Sequence, residues 1–152
     1  MKLSSIEEYG LRCLLRVGRA GDDGSVTISE LARSEGISEP NVAKMMRRLR
    51  TAGLVQSTRG QAGGYALARP AEQISIADVI RAVEGPLANV RGQAPESLAY
   101  PGAAGKLRDV WVALRANIRA VLEGVTLADV ARGELPAPVE ELTRDADAWV
   151  RR

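Results

Sequence analysis

Apolar positions along most of this chain recur every three to four residues. Ile6, Tyr9, Cys13, Leu14 and Val17 predict a first helix running to about Arg19, opened by two overlapping capping boxes, Ser4 with Glu7 and Ser5 with Glu8. Val26 is placed to begin a short strand. Thr27 and Glu30 form another box, opening a helix to about Glu35 with Ile28, Leu31 and Ala32 inside. After the turn Gly36-Ile37-Ser38, a third helix carries Val42, Met45, Met46 and Leu49 on one face. Ser38 is its N-cap candidate, Pro40 suits its first turn, and Gly53 is placed to end it. Leu54 to Thr58 and Gly64 to Ala68 are the two strand-like stretches, joined by a glycine-rich turn. Ile74, Val79, Ile80 and Val83 predict a short helix from a Ser75 cap to Glu84-Gly85-Pro86.

Residues 87–105 lose all periodicity, and their proline and glycine content predicts a flexible loop. From Lys106 to Glu123 the period returns in its longest form. Leu107, Trp111, Leu114, Ile118, Val121 and Val125 follow 4-3-4-3-4 spacing. That spacing fits either a seam pairing two copies of the helix or an ordinary core helix. Thr126 opens a last short helix, and Pro136 and Pro138 introduce an amphipathic tail with Val139, Leu142, Ala146 and Trp149 on one stripe.

Composition sharpens the middle of the chain. The net charge of 152 residues is only +2, but residues 38–69 hold six basic side chains against Glu39 alone, a balance of +5. The remaining 15 basic and 18 acidic residues give −3. A basic helix followed at once by a glycine hairpin with Arg59 at its base is the layout of a winged helix-turn-helix, and the local charge is what nucleic acid attracts. The expected fold is mainly α with a small β-hairpin: a winged helix-turn-helix domain (1–86), the flexible loop (87–105), a long helix and a short following one (106–132), and the tail (133–152). Phe is absent and aromatics make up 3%, so the core falls to Leu, Val, Ile, Ala and Met. With Cys13 as the single cysteine no internal disulfide can form, which points to the cytoplasm. The N-terminus lacks the apolar core of a signal peptide, and no apolar run reaches the ~20 residues that span a bilayer. No histidine, nucleophile elbow, phosphate loop or metal-ligand cluster supports an enzyme.

Several stretches together resemble the Rrf2 family of bacterial winged-helix regulators: VTISELARSEGIS, LRTAGLV, RGQAGGYALARP, ISIADVIRAVEGP and, later, LEGVTLAD. The resemblance implies a homodimer on a palindromic stretch of double-stranded DNA, each third helix in a major groove and each wing at a minor groove. On that basis Ser38, Asn41 and Lys44 would meet base edges and phosphates, Arg47 and Arg48 phosphates, and Arg59 the minor groove. Gly60, Gly63 and Gly64 would let the wing backbone approach closely, and Thr27, heading the second helix, joins the same DNA-facing set. Leu107, Trp111, Leu114, Ile118 and Val121 would form the dimer seam.

Cluster-bearing members of that family place three cysteines between the VEGP helix and the long helix. Here residues 87–105 have none, so no iron–sulfur cluster, metal or other cofactor is expected. The leading expectation is a cluster-free homodimeric transcription factor of repressor type, whose signal is either a small-molecule effector or a partner protein, an effector being expected at the loop 86–105 and in the space beneath the long helix, with no membrane partner. Two alternatives stay open: a winged-helix module that binds protein, and a redox sensor using the Cys13 thiol.

Overall fold

The computed structural model describes residues 3–21, 24–58 and 63–150. Four helices are entered through the same local device. At α1 (Ser5–Arg19) the Ser4 hydroxyl accepts from the Glu7 N–H, while the Glu7 carboxylate accepts from the Ser4 N–H at 2.6 Å. The reciprocal pair recurs at α2 (Ile28–Glu35) through Thr27 and Glu30, at α4 (Ile76–Glu84) through Ser75 and Asp78, and at α6 (Leu127–Arg132) through Thr126 and Asp129. Each box satisfies two amide donors that a helix start otherwise leaves without partners. Of the overlapping boxes at the N-terminus, the one built on Ser4 is used.

α3 (Glu39–Thr51) starts differently. Ser38 is its N-cap, but the hydroxyl makes no capping bond. Its far end is closed tightly: the Leu54 N–H donates to the Leu49 carbonyl and the Gly53 N–H to that of Arg50, both at 3.0 Å. Gly53 takes φ of 70°, which a side chain would resist, and Leu49 and Leu54 are both buried across the turn. The reversal feeds directly into β1 (Val55–Ser57), antiparallel to β2 (Tyr65–Leu67) with Val55 opposite Leu67. Val26 does not begin a strand; it forms a single bridge to Tyr65, exchanging two 2.9 Å bonds on the other side of β2.

The core gathers Cys13, Leu14 and Val17 of α1, Leu31 of α2, the predicted apolar face of α3, and Ile74, Val79 and Val83 around α4. α1 and α4 touch closely because Gly10 has no side chain: a Cβ there would stand 3.2 Å from a Val83 methyl. α6, which follows the long helix in the chain, returns to this same core. The Leu127 N–H donates to the Ile74 carbonyl at 2.9 Å, and the Leu127 side chain is buried.

Residues 87–105 follow a chain of short turns. Val90 and Gln93 bridge across Arg91 and Gly92, both at positive φ (52° and 77°), and 3-10 turns follow at Pro95–Ser97 and Gly102–Ala104. α5 (Leu107–Gly124) then runs 18 residues without one buried side chain. The tail corrects the expectation of a single stripe. α7 (Ala137–Arg144) stops at Asp145, whose extended backbone separates it from a 3-10 turn at Ala146–Trp149. Leu142 and Trp149 are left 59% and 77% exposed, and α7 packs chiefly on that turn, the Trp149 indole N–H donating to the Thr143 carbonyl at 2.7 Å. No described helix is long and apolar enough to cross a membrane.

Candidate nucleic-acid interface

Burial of Val42, Met45, Met46 and Leu49 turns the opposite face of α3 to solvent. Ser38, Asn41, Lys44, Arg47 and Arg50 all lie exposed there. Among the described residues, Lys44, Arg47 and Arg50 form no ion pair, and neither do Arg16, Arg19, Arg33, Arg48 and Arg91, whereas Arg12, Arg69, Arg81, Arg115, Arg119, Arg132 and Arg144 do. What sets α3 apart is that three such cations share its exposed face. The Ser38 hydroxyl, released from capping, and the Asn41 amide make no intramolecular bond either. This face is therefore a set of donors with nothing of its own to bind. α2 braces the head of α3 through Ser29, whose hydroxyl donates to the Glu39 carboxylate at 2.7 Å. The Thr27 hydroxyl stands at the head of α2 but already serves the Glu30 carboxylate at 2.9 Å.

Arg48 sits apart from this set. Its Nη1 donates to the Val83 carbonyl at the end of α4, so the guanidinium expected on a phosphate ties α3 to its neighbour. No pattern in the sequence marks that bond, because its two ends lie 35 residues apart.

In the wing, Gly64 is required by contact. A Cβ there would fall 2.7 Å from the Val26 carbonyl oxygen, inside van der Waals contact, and Gly64 is not at positive φ. Its carbonyl accepts from the Thr58 N–H at 2.8 Å, and its N–H donates to the Thr58 hydroxyl at 2.9 Å, which closes the base of the hairpin. Gly63 continues the chain from there. Arg59 and Gly60, the other wing residues expected at DNA, lie outside the described residues.

The arrangement is a helix-turn-helix followed by a wing, its exposed helix face cationic. A family model described as Rrf2, iron-dependent transcriptional regulator, matches residues 3–133. The chain belongs to the Rrf2 family. It is similar to a candidate helix-turn-helix transcriptional regulator of Mycobacterium tuberculosis, 46% identical over 145 residues, covering 95% of this chain and 90% of the relative. It is also similar to the regulator CymR of Bacillus subtilis, 32% identical over 86% of this chain and 90% of that protein. The solved structure of CymR, titled the global cysteine regulator of B. subtilis, superposes with a TM-score of 0.74 at 30% identity, covering 88% of this chain and 98% of CymR. That of T. potens IscR gives 0.69 at 30% identity over 100% and 93%. This Rrf2 protein is a DNA-binding transcriptional regulator and not an enzyme, and α7 lies beyond the part the family shares.

The family description invokes iron, which the residues present do not fit. Cluster iron takes mainly thiolates with occasional imidazole, and this chain has one cysteine and no histidine. Cys13 is wholly buried in the core, and among the described residues no three His, Cys, Asp or Glu side chains are grouped to hold a metal. Burial, aided by nearby Glu35 and only partly opposed by Arg12, pushes the Cys13 thiol up to about 11. A reactive thiol needs exposure and a lowered value, so the geometry speaks against the thiol-sensor alternative.

The long helix divides its expected seam. Leu107 and Leu114 are 40% and 46% exposed, as is Val110 at 52%, a residue the spacing passed over although it lies three after Leu107 and four before Leu114. Trp111, Leu114 and Ile118, joined by Leu122, also face a groove against α1, α4 and residues 86–95. Val121 is half-buried. α5 touches α4 through Arg81, which pairs with Glu123, and it touches the 87–105 segment through Arg115 with Glu96 and through the Trp111 indole N–H, which donates to the Tyr100 hydroxyl at 3.2 Å.

Proposed function

We propose that this Rrf2 protein represses transcription as a cluster-free homodimer on a palindromic operator. α3 of each subunit lies in a major groove, where Ser38, Asn41 and Lys44 meet base edges and Arg47 meets a phosphate. Asn pairs adenine in a bidentate way and Lys donates to guanine, each good pair giving about 1–3 kcal/mol of discrimination. Arg59, Gly60, Gly63 and Gly64 carry the wing to the adjacent minor groove. The observation that carries this reading is the row of exposed cations on α3 without ion-pair partners among the described residues, since phosphate then costs no ion pair already made. Arg48 is left out of the contact set because α4 holds it.

The exposed side of α5, with Leu107, Val110 and Leu114, supports pairing through that helix, and two-fold protein symmetry maps onto a two-fold DNA site. Repression follows if such a dimer covers a promoter. The lack of thiolate and imidazole donors supports a signal other than a cluster, and a small molecule is the natural substitute. A regulator of this kind works in the cytoplasm, where its DNA is.

Gel-shift titration on genomic fragments at several salt concentrations tests the reading. Log K should fall with log salt by about 0.9 for each phosphate neutralised. Absence of a shift, or one insensitive to salt, would favour a protein-binding module instead.

A further inference from the structure

The groove between α5 and the α1–α4 pair has a distinctive chemistry. It encloses about 380 Å³, within the range of small-molecule sites. Its walls mix apolar side chains, Ile80, Leu87, Trp111 and Ile118 among them, with polar ones such as Ser4 and Asn89. Among the described residues, its charged lining consists of Glu7 and Glu84, with no Lys or Arg. Glu84 is exposed and makes no ion pair or hydrogen bond among the described residues. It is also the last residue of α4, so the negative end of that helix dipole reinforces its charge. The one feature that would favour an anion, the positive start of α1, is already answered by Glu7, whose carboxylate accepts from the Ser4 N–H at 2.6 Å.

We propose that this groove binds a small, largely apolar organic cation, such as an aromatic amine or a quaternary onium compound. This rests on the effector reading above and gives that effector its chemical class. The apolar body packs on Ile80, Leu87 and Ile118, the positive centre faces Glu84, and the Trp111 ring adds cation–π attraction. A neutral ligand would leave Glu84 uncompensated as the groove loses water, and an anion would meet two carboxylates with no basic partner among the described residues. Occupancy would be felt at DNA by a short route: Ile80 and Glu84 stand one turn apart at the end of α4, whose Val83 carbonyl holds Arg48 of α3.

The test uses two probes of the same shape and opposite charge, tetraphenylphosphonium and tetraphenylborate, on the full chain. Trp149→Phe leaves Trp111 as the single indole reporter, at no expense to the groove, because Trp149 lies in the exposed tail. Saturable quenching of Trp111 by the phosphonium is expected, at least tenfold weaker in Glu84→Gln, with no saturable binding of the borate. Equal binding of the borate would overturn the proposal, as would unchanged phosphonium affinity in Glu84→Gln. Absence of saturable quenching, the result if a second copy of the chain fills the groove, would overturn it too. DNA binding is measured on the same samples without probe, so a failed gel shift and an empty groove are separate results.

Discussion

Gly64 leaves no room for a side chain, and the atom in the way is a backbone oxygen of Val26 that cannot rotate aside. Gly64→Ala is therefore expected to push β2 off its bridge with Val26 and destabilise the fold by about 1–3 kcal/mol, as overpacking typically does. Urea unfolding reads the loss, and weakened DNA binding with the salt slope reduced by no more than the single wing cation Arg59 would show that the wing moved while the cations of α3 stayed. Cys13 makes a prediction in pH. Its folded value of about 11 lies above the ordinary 9.0, so the native chain holds this proton longer than the unfolded one. The stabilisation is whole below pH 9 and drains away as pH rises towards 11. The difference in unfolding free energy between the wild type and Cys13→Ala should accordingly shrink between pH 8 and 10.5. A constant difference would contradict it.

Helix α3 presents two adjacent arginines with different partners. Arg47→Ala is expected to lower the salt slope of DNA binding by about 0.9, one phosphate contact, with little effect on stability. Arg48→Ala is expected to keep the slope and lose about 1–3 kcal/mol of stability, since it strips the Val83 carbonyl of a charged donor. Measuring slope and unfolding on both variants separates the two roles, and a reversed pattern would overturn the assignment. For α5, Val110→Glu places charge on a face with no buried side chain. The chain should stay folded while light scattering reports a monomer and operator affinity falls at least tenfold. A variant that remained dimeric would move the interface elsewhere.

Across the whole molecule, legibility followed the reach of each interaction. The capping boxes at Ser4, Thr27, Ser75 and Thr126, the apolar face of α3 and the turn at Gly53 all act within about five residues, and they stood in the sequence almost to their boundaries. The exposed face of α3 could be read for the same reason, as the complement of Val42, Met45, Met46 and Leu49. The Arg48–Val83 bond, the return of α6 to the core and the groove beneath α5 join distant segments, and no local period encodes them. The turn at Arg91 was hidden differently: an arginine at φ 52° takes a place where glycine or asparagine is the usual signal. In the tail, even helical spacing from Val139 to Trp149 could not reveal that Asp145 leaves the helix between them.

The bare length of α5 has a last consequence, which is one of mass action. Eighteen residues with no fully buried side chain within one chain complete their burial only by meeting a second, so stability becomes a function of how much protein is present. The thermal midpoint should climb as concentration is raised from nanomolar to micromolar, and a flat profile would show a self-sufficient monomer. In a cell the same dependence would make the regulator's own abundance an input: scarce copies would leave the operator open even with every DNA-contacting residue intact.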